Sequence, residues 1–81
     1  MFDLVLICDE KKIFEGKVNE VNVLTENGPV TILPQHQPYM AKIHDEASYE
    51  TQESKKLSVK IKEGFLYTNG KICFVAVDIT E

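Results

Sequence analysis

Arginine is absent from this chain: all nine basic residues among its 81 are lysine. Without a guanidinium fork there is no donor for bidentate phosphate contacts. With no basic patch either, the composition argues against nucleic-acid binding and against an electrostatic hold on anionic lipid. Cysteine is scarce. Cys8 and Cys73 are too few for a disulfide scaffold and fit a reducing compartment. No apolar run approaches the roughly 20 residues of a membrane-spanning helix, and Met1-Phe2-Asp3-Leu4 lacks the basic stretch and cleavage site of a signal peptide. No ten-residue window shows 3.6-residue periodicity, so helices are not expected.

What is present is ordinary globular material, 43% hydrophobic and 27% charged, at 9.2 kDa. That is one small domain, burying about 60–65% of its unfolded surface on a thin stability margin. The net charge of −4 is local in origin. Asp45, Glu46, Glu50 and Glu53 crowd one segment, and outside it nine acids balance nine lysines.

The dominant period is two, the period of strands. Phe2, Leu4, Leu6 and Cys8 alternate with Asp3, Val5 and Ile7 ahead of a charged turn at Asp9-Glu10-Lys11-Lys12. Val21 and Val23 alternate with Glu20 and Asn22, while Val18 falls out of phase, which predicts a bulge between Val18 and Val21. Glu26-Asn27-Gly28-Pro29 is a turn, Val30–Leu33 a short strand ending at Pro34, and Pro34–Pro38 a stiffened loop. Tyr39–Ile43 resumes a strand, and the acidic stretch His44–Ser54 reads as a solvated hairpin or connection. Leu57, Val59 and Ile61 alternate with Ser58, Lys60 and Lys62, a strand with one wet face. Asn69-Gly70 predicts a two-residue type I′ turn that sets Tyr67 against Ile72, Leu66 against Cys73 and Phe65 against Phe74. Phe65, Tyr67, Ile72 and Phe74 then share one face, and Leu66, Cys73, Val75 and Val77 the other. With both faces apolar, the hairpin either lies centrally or covers a core on one side and a partner on the other. The class is all-β.

Catalytic chemistry is thinly represented. His36 and His44 lie outside zinc-site spacing, and Cys8 and Cys73 read as small core hydrophobes. There is no phosphate-binding glycine loop and no serine elbow. Asp45-Glu46 reads as surface charge rather than an acid–base pair, and Asp78 as an edge or cap residue. The proline-flanked loop around His36 has two open readings: a rigid docking surface, or a shaped strand crossover.

Gly28-Pro29-Val30-Thr31-Ile32-Leu33-Pro34-Gln35-His36-Gln37-Pro38 resembles the Gly-x-x-Gly-Ile-Leu-Pro-Gly-His-x-Pro signature of F-type ATP synthase epsilon subunits. Ile13–Val18 with Val21-Asn22-Val23, Glu63–Tyr67 and Ile72–Asp78 are similar to other segments of that family, in the right order. The resemblance implies a ten-stranded β-sandwich of two five-stranded sheets, the family's N-terminal domain, spanning residues 1–81. It implies a non-catalytic rotor subunit in the central stalk, without cofactor or metal, that couples proton flow to ATP synthesis. The partners implied are the gamma subunit and the polar loops of the c-ring. Glu26, Asn27, Gly28 and Pro29 fall on the c-ring side by position, and Gln35, His36 and Gln37 on the gamma side. The expected place is the cytoplasmic face of the inner membrane, peripheral and without lipid insertion. A free-standing β-sandwich module binding a peptide or small ligand is the alternative.

Thr31, Gln35 and Glu63 stand where the family carries glycine, and Pro29 where relatives are often acidic, so a c-ring contact through that carboxylate does not carry over. Relatives continue into a C-terminal helical hairpin, whereas this chain stops at Glu81. The expectation is therefore coupling without helical inhibition of ATP hydrolysis and without the family's nucleotide site.

Overall fold

A computed structural model of the chain describes residues 1–35 and 37–79. Among these there are six strands and no helix: β1 (Phe2–Cys8), β2 (Lys11–Thr25), β3 (Gly28–Ile32), β4 (Tyr39–Thr51), β5 (Lys56–Thr68) and β6 (Ile72–Ile79). They hydrogen-bond in the order β1-β6-β5-β4-β2-β3, and β1 also pairs with the first half of β2. That extra pairing closes β1, β6, β5, β4 and β2 into a ring, with β3 appended to the second half of β2. The β1–β6 pair is parallel, and the other pairings, the closing β1–β2 pair among them, are antiparallel.

The all-β class holds. The expected ten strands in two five-stranded sheets do not: among the described residues the backbone draws six strands in one closed sheet. The reason is local. β2, β4 and β5 are long enough to break in two, but they bend instead, through register shifts that leave Asn19 of β2 without a partner on β4, Asp45 and Glu46 of β4 without a partner on β2, and Lys62 of β5 without a partner on either neighbour. A bulge adds one residue, increases twist and re-aims the strand without ending it. The first shift lies where Val18 and Val21 fall out of phase. Asn19, the extra residue there, is held across the gap: its Nδ2 donates to Glu50 Oε1 at 2.9 Å and to the Thr51 carbonyl at 3.0 Å.

The interior is filled by alternate residues of every strand. Leu4, Leu6, Val18, Ile32, Ile43 and Leu66 are essentially sealed from solvent, with Phe14 packed on Tyr49 at a ring-centroid distance of 4.6 Å and a tilt of 41°. Burial pushes the Cys73 thiol up to about 12.

Two expectations are corrected. The acidic stretch from His44 is not a connection but the second half of β4, whose Ala47, Tyr49 and Thr51 are buried while Asp45 and Glu46 point outward. The turn that follows takes up only the last residues of that stretch. The last hairpin is not closed by a two-residue turn. Gly70 has positive φ (94°) but Asn69 does not, and Thr68 pairs with Cys73. Asn69 Oδ1 accepts from the backbone N–H groups of Lys71 (2.9 Å) and Ile72 (3.0 Å), and Thr68 Oγ1 accepts from that of Gly70 (3.1 Å). Side chains thus supply acceptors that favour a longer loop. The register moves by two residues, so Tyr67 meets Phe74 and Leu66 meets Val75. A shift of two preserves the faces, and the expected division of apolar residues between inside and outside stands.

Candidate docking surface

The inside positions of β5 and β6 are occupied by Leu66, Thr68, Cys73, Val75 and Val77. Their neighbours in sequence must therefore face out, and those neighbours are also apolar. Met40, Phe65, Tyr67, Ile72 and Phe74 keep between 40% and 69% of their surface in solvent. The register gathers them into rows. Met40 on β4 lies opposite Tyr67 on β5, Tyr67 opposite Phe74 on β6, and Phe74 opposite Val5 on β1. One step along, Lys42, Phe65, Ala76 and Ile7 form a parallel row on the same four strands. Directly opposite residues have Cβ atoms about 4.5–5.5 Å apart, so each row is a continuous surface rather than scattered side chains.

Charge borders this face along β1 and β2. Asp3 is paired with Lys17 Nζ at 3.1 Å, and Lys12 Nζ with Glu15 Oε1 at 2.8 Å. Both pairs are exposed, and each contributes at most about 1 kcal/mol. An apolar centre inside a charged rim is the anatomy of a protein–protein contact, and monomers seldom leave such a face bare.

The residues singled out from the sequence fall into two groups at opposite ends of β3, separated by about 17 Å of extended chain. Glu26 and Asn27 form the β2–β3 turn. Its geometry is set by Thr25 Oγ1, which donates to the Gly28 carbonyl at 2.8 Å and accepts from the Asn27 N–H at 3.1 Å. Gly28 has φ of 107°, which a side chain resists, and Pro29 opposes Leu24 on the sheet's edge strand, where a missing donor costs least. At the other end the exposed Gln35 takes φ of 64° and donates its N–H to the Gly70 carbonyl at 3.2 Å. That bond ties the proline-bounded loop to the β5–β6 turn and so to the border of the apolar face. Gln37 is exposed on the same loop, and His36 lies outside the described residues.

Met40 belongs with this face and was not singled out from the sequence. Its signal was a hydrophobe just after a proline loop, without a partner strand to orient it. No group of three His, Cys, Asp or Glu side chains that could hold a metal occurs among the described residues.

Comparison with known proteins follows the fold. The family model of the ATP synthase delta/epsilon chain β-sandwich domain matches residues 1–81. The chain is 31% identical over 70 residues to the chloroplastic ATP synthase epsilon chain of Bigelowiella natans, covering 84% of this chain and 51% of that one. It is 36% identical over 64 residues to the ATP synthase epsilon chain of Maricaulis maris (strain MCS10), covering 79% and 47%. The chain thus spans about half the length of these relatives. Among solved structures, a chain of the Euglena gracilis mitochondrial ATP synthase (OSCP/F1/c-ring) superposes with a TM-score of 0.81 at 21% identity, covering 99% of this chain and 51% of that one. A chain of the Tetrahymena thermophila mitochondrial ATP synthase central stalk and c-ring does so at 0.75 and 12% identity, covering 95% and 63%. At such identities the structural likeness speaks for the fold.

Proposed function

The chain belongs to the ATP synthase delta/epsilon chain family as its β-sandwich domain, and from that premise we propose that it is a non-catalytic central-stalk subunit of a proton-translocating F-type ATP synthase. It docks the gamma subunit to the c-ring and passes rotation between them, coupling proton flow to ATP synthesis. The observation that carries this reading is the uncovered apolar row Met40, Tyr67, Phe74 and Val5, across four strands of a domain whose core is already complete without it.

In this reading the gamma subunit covers that face and meets Gln35, His36 and Gln37 beside it, Gln35 being tied to the border of the face by its bond to the Gly70 carbonyl. The Glu26-Asn27-Gly28-Pro29 turn, at the far end of β3, meets the polar loops of the c-ring. Two contacts on opposite ends of one rigid strand suit a part that must transmit torque. Residues 1–81 act as one domain, peripheral on the cytoplasmic face of the membrane, with no lipid insertion and no cofactor of their own. The alternative, a free-standing peptide-binding module, draws on the open groove between the β4, β5 and β6 strands.

Reconstitution of the synthase in proteoliposomes with and without the chain separates the two. Proton-driven ATP synthesis should fall when it is omitted and return when it is added back. Synthesis that proceeds equally well without it refutes the rotor reading and favours the module.

A further inference from the structure

The outer face does not end at its second row. Phe65, Ala76 and Ile7 also line one side of an open groove of about 820 Å³, which continues over Ile43, Gly64 and Val77 at the end of the closed sheet. Its floor is therefore apolar. Its rim is not: Asp9 and Glu10 approach from the β1–β2 turn, Glu26 from the β2–β3 turn, Glu63 from β5 and Asp78 from β6. Among the described residues that line it, five carboxylates stand against one lysine, Lys42, with His44 beside it. At neutral pH the groove gathers a charge of −4, equal to the formal net charge of the whole chain.

These acids come from four separate places in the sequence and are brought to one rim by the fold. Like charges held around an apolar floor repel one another and raise the local negative potential, and a cationic partner relieves both effects. A cation without apolar substance would leave the floor exposed, and an apolar segment without charge would leave the rim unneutralised.

We propose that this groove holds a lysine- or arginine-bearing segment of a partner protein, anchored by an apolar side chain against Phe65, Ala76 and Ile7. The groove is continuous with the apolar face, so one partner chain can cover the face and place its basic segment in the groove. The identity of that partner rests on the rotor reading above, whereas the chemistry of the segment does not.

The test uses the 81-residue chain and a fluorescently labelled Lys-Leu-Lys-Lys-Leu-Lys peptide, with Glu-Leu-Glu-Glu-Leu-Glu as the control. Binding is followed by fluorescence anisotropy at low and high salt, and the site is mapped by amide chemical shifts. The lysine peptide should bind about tenfold or more tightly than the control and weaken with salt, with shifts centred on Glu10, Glu63, Gly64 and Asp78. Glu63→Gln with Asp78→Asn should lower its affinity by about fivefold, while Leu57→Ser, exposed on β5 and off the groove, leaves it unchanged. Equal binding of both peptides, shifts elsewhere, or indifference to the rim substitutions overturns the proposal. A groove that binds the peptide in a chain dispensable for ATP synthesis would refute the rotor reading alone. A chain needed for synthesis whose groove ignores the peptide would refute the groove alone.

Discussion

Tyr67 on β5 lies directly opposite Phe74 on β6, with both side chains on the outside of the closed sheet and both exposed to solvent. An exposed cross-strand aromatic pair contributes only about 0.2–1 kcal/mol to the sheet, whereas aromatic side chains at the centre of an interface carry much of its affinity. The Tyr67→Ser and Phe74→Ser double variant should therefore keep its fold, losing about 1 kcal/mol or less by thermal unfolding. Its affinity for the gamma subunit should fall about 100-fold or more by calorimetry. A large loss of stability with unchanged affinity would assign the pair to the core rather than to docking.

Gly64 makes a second prediction. It sits between Ile43 on β4 and Val77 on β6, and a Cβ there would overlap the Ala76 carbonyl oxygen and lie 3.0 Å from Val77 Cα. Backbone cannot rotate away as a side-chain tip can. Gly64→Ala should destabilise the domain by about 1–3 kcal/mol through forced separation of β5 and β6. The melting temperature would then fall by about 4–8 °C per kcal/mol. An unchanged melting temperature would mean that the two strands part freely at this point.

These two sites were not equally legible. The aromatic face could be read from the alternation of Phe65, Tyr67, Ile72 and Phe74 with Leu66, Cys73 and Val75, and it survived a misjudged turn because the register moved by an even number. The bulge near Asn19 showed as a break in phase between Val18 and Val21. Ile61 and Leu66 fall out of phase in the same way across Lys62, where β5 carries one residue more than its neighbours, a break that was not singled out from the sequence. The second half of β4 was obscured because its inward residues include Ala47 and Thr51, weak hydrophobic signals, while its outward Asp45 and Glu46 carry charge. The groove was not legible at all, because Asp9, Glu26, Glu63 and Asp78 meet only once the sheet has closed.

Cys73 offers a test in alkaline solution. Burial raises its thiol from 9.0 to about 12 in the folded chain. The unfolded chain therefore gives up the proton first, and above pH 9 it binds fewer protons than the native one. Stability should fall as pH rises from about 9 toward 12, by no more than about 1.4 kcal/mol per pH unit from this group. Cys73→Ala removes that contribution, so the stability difference between it and the parent should narrow over this range in denaturant titrations. A difference independent of pH would show that the thiol ionises as easily inside as outside. At pH 8 a thiol reagent should modify Cys73 in the native chain far more slowly than in the unfolded one.

The β1–β2 turn links stability to binding. Cys8 pairs with Lys11, leaving Asp9 and Glu10 as a two-residue loop, with φ of 51° and 67°. Both lie in the left-handed region that a type I′ turn requires, where asparagine and glycine are preferred and an ordinary side chain costs about 1 kcal/mol or more. Asp9→Asn with Glu10→Gly should therefore raise stability by about 1 kcal/mol, seen as a higher melting temperature. The same change removes two of the carboxylates at the rim of the groove. Affinity for the basic peptide should fall as the melting temperature rises, opposite movements that general loosening of the domain cannot produce. A variant that gains stability and keeps its full affinity would show that the turn carries its acids for some purpose other than the groove.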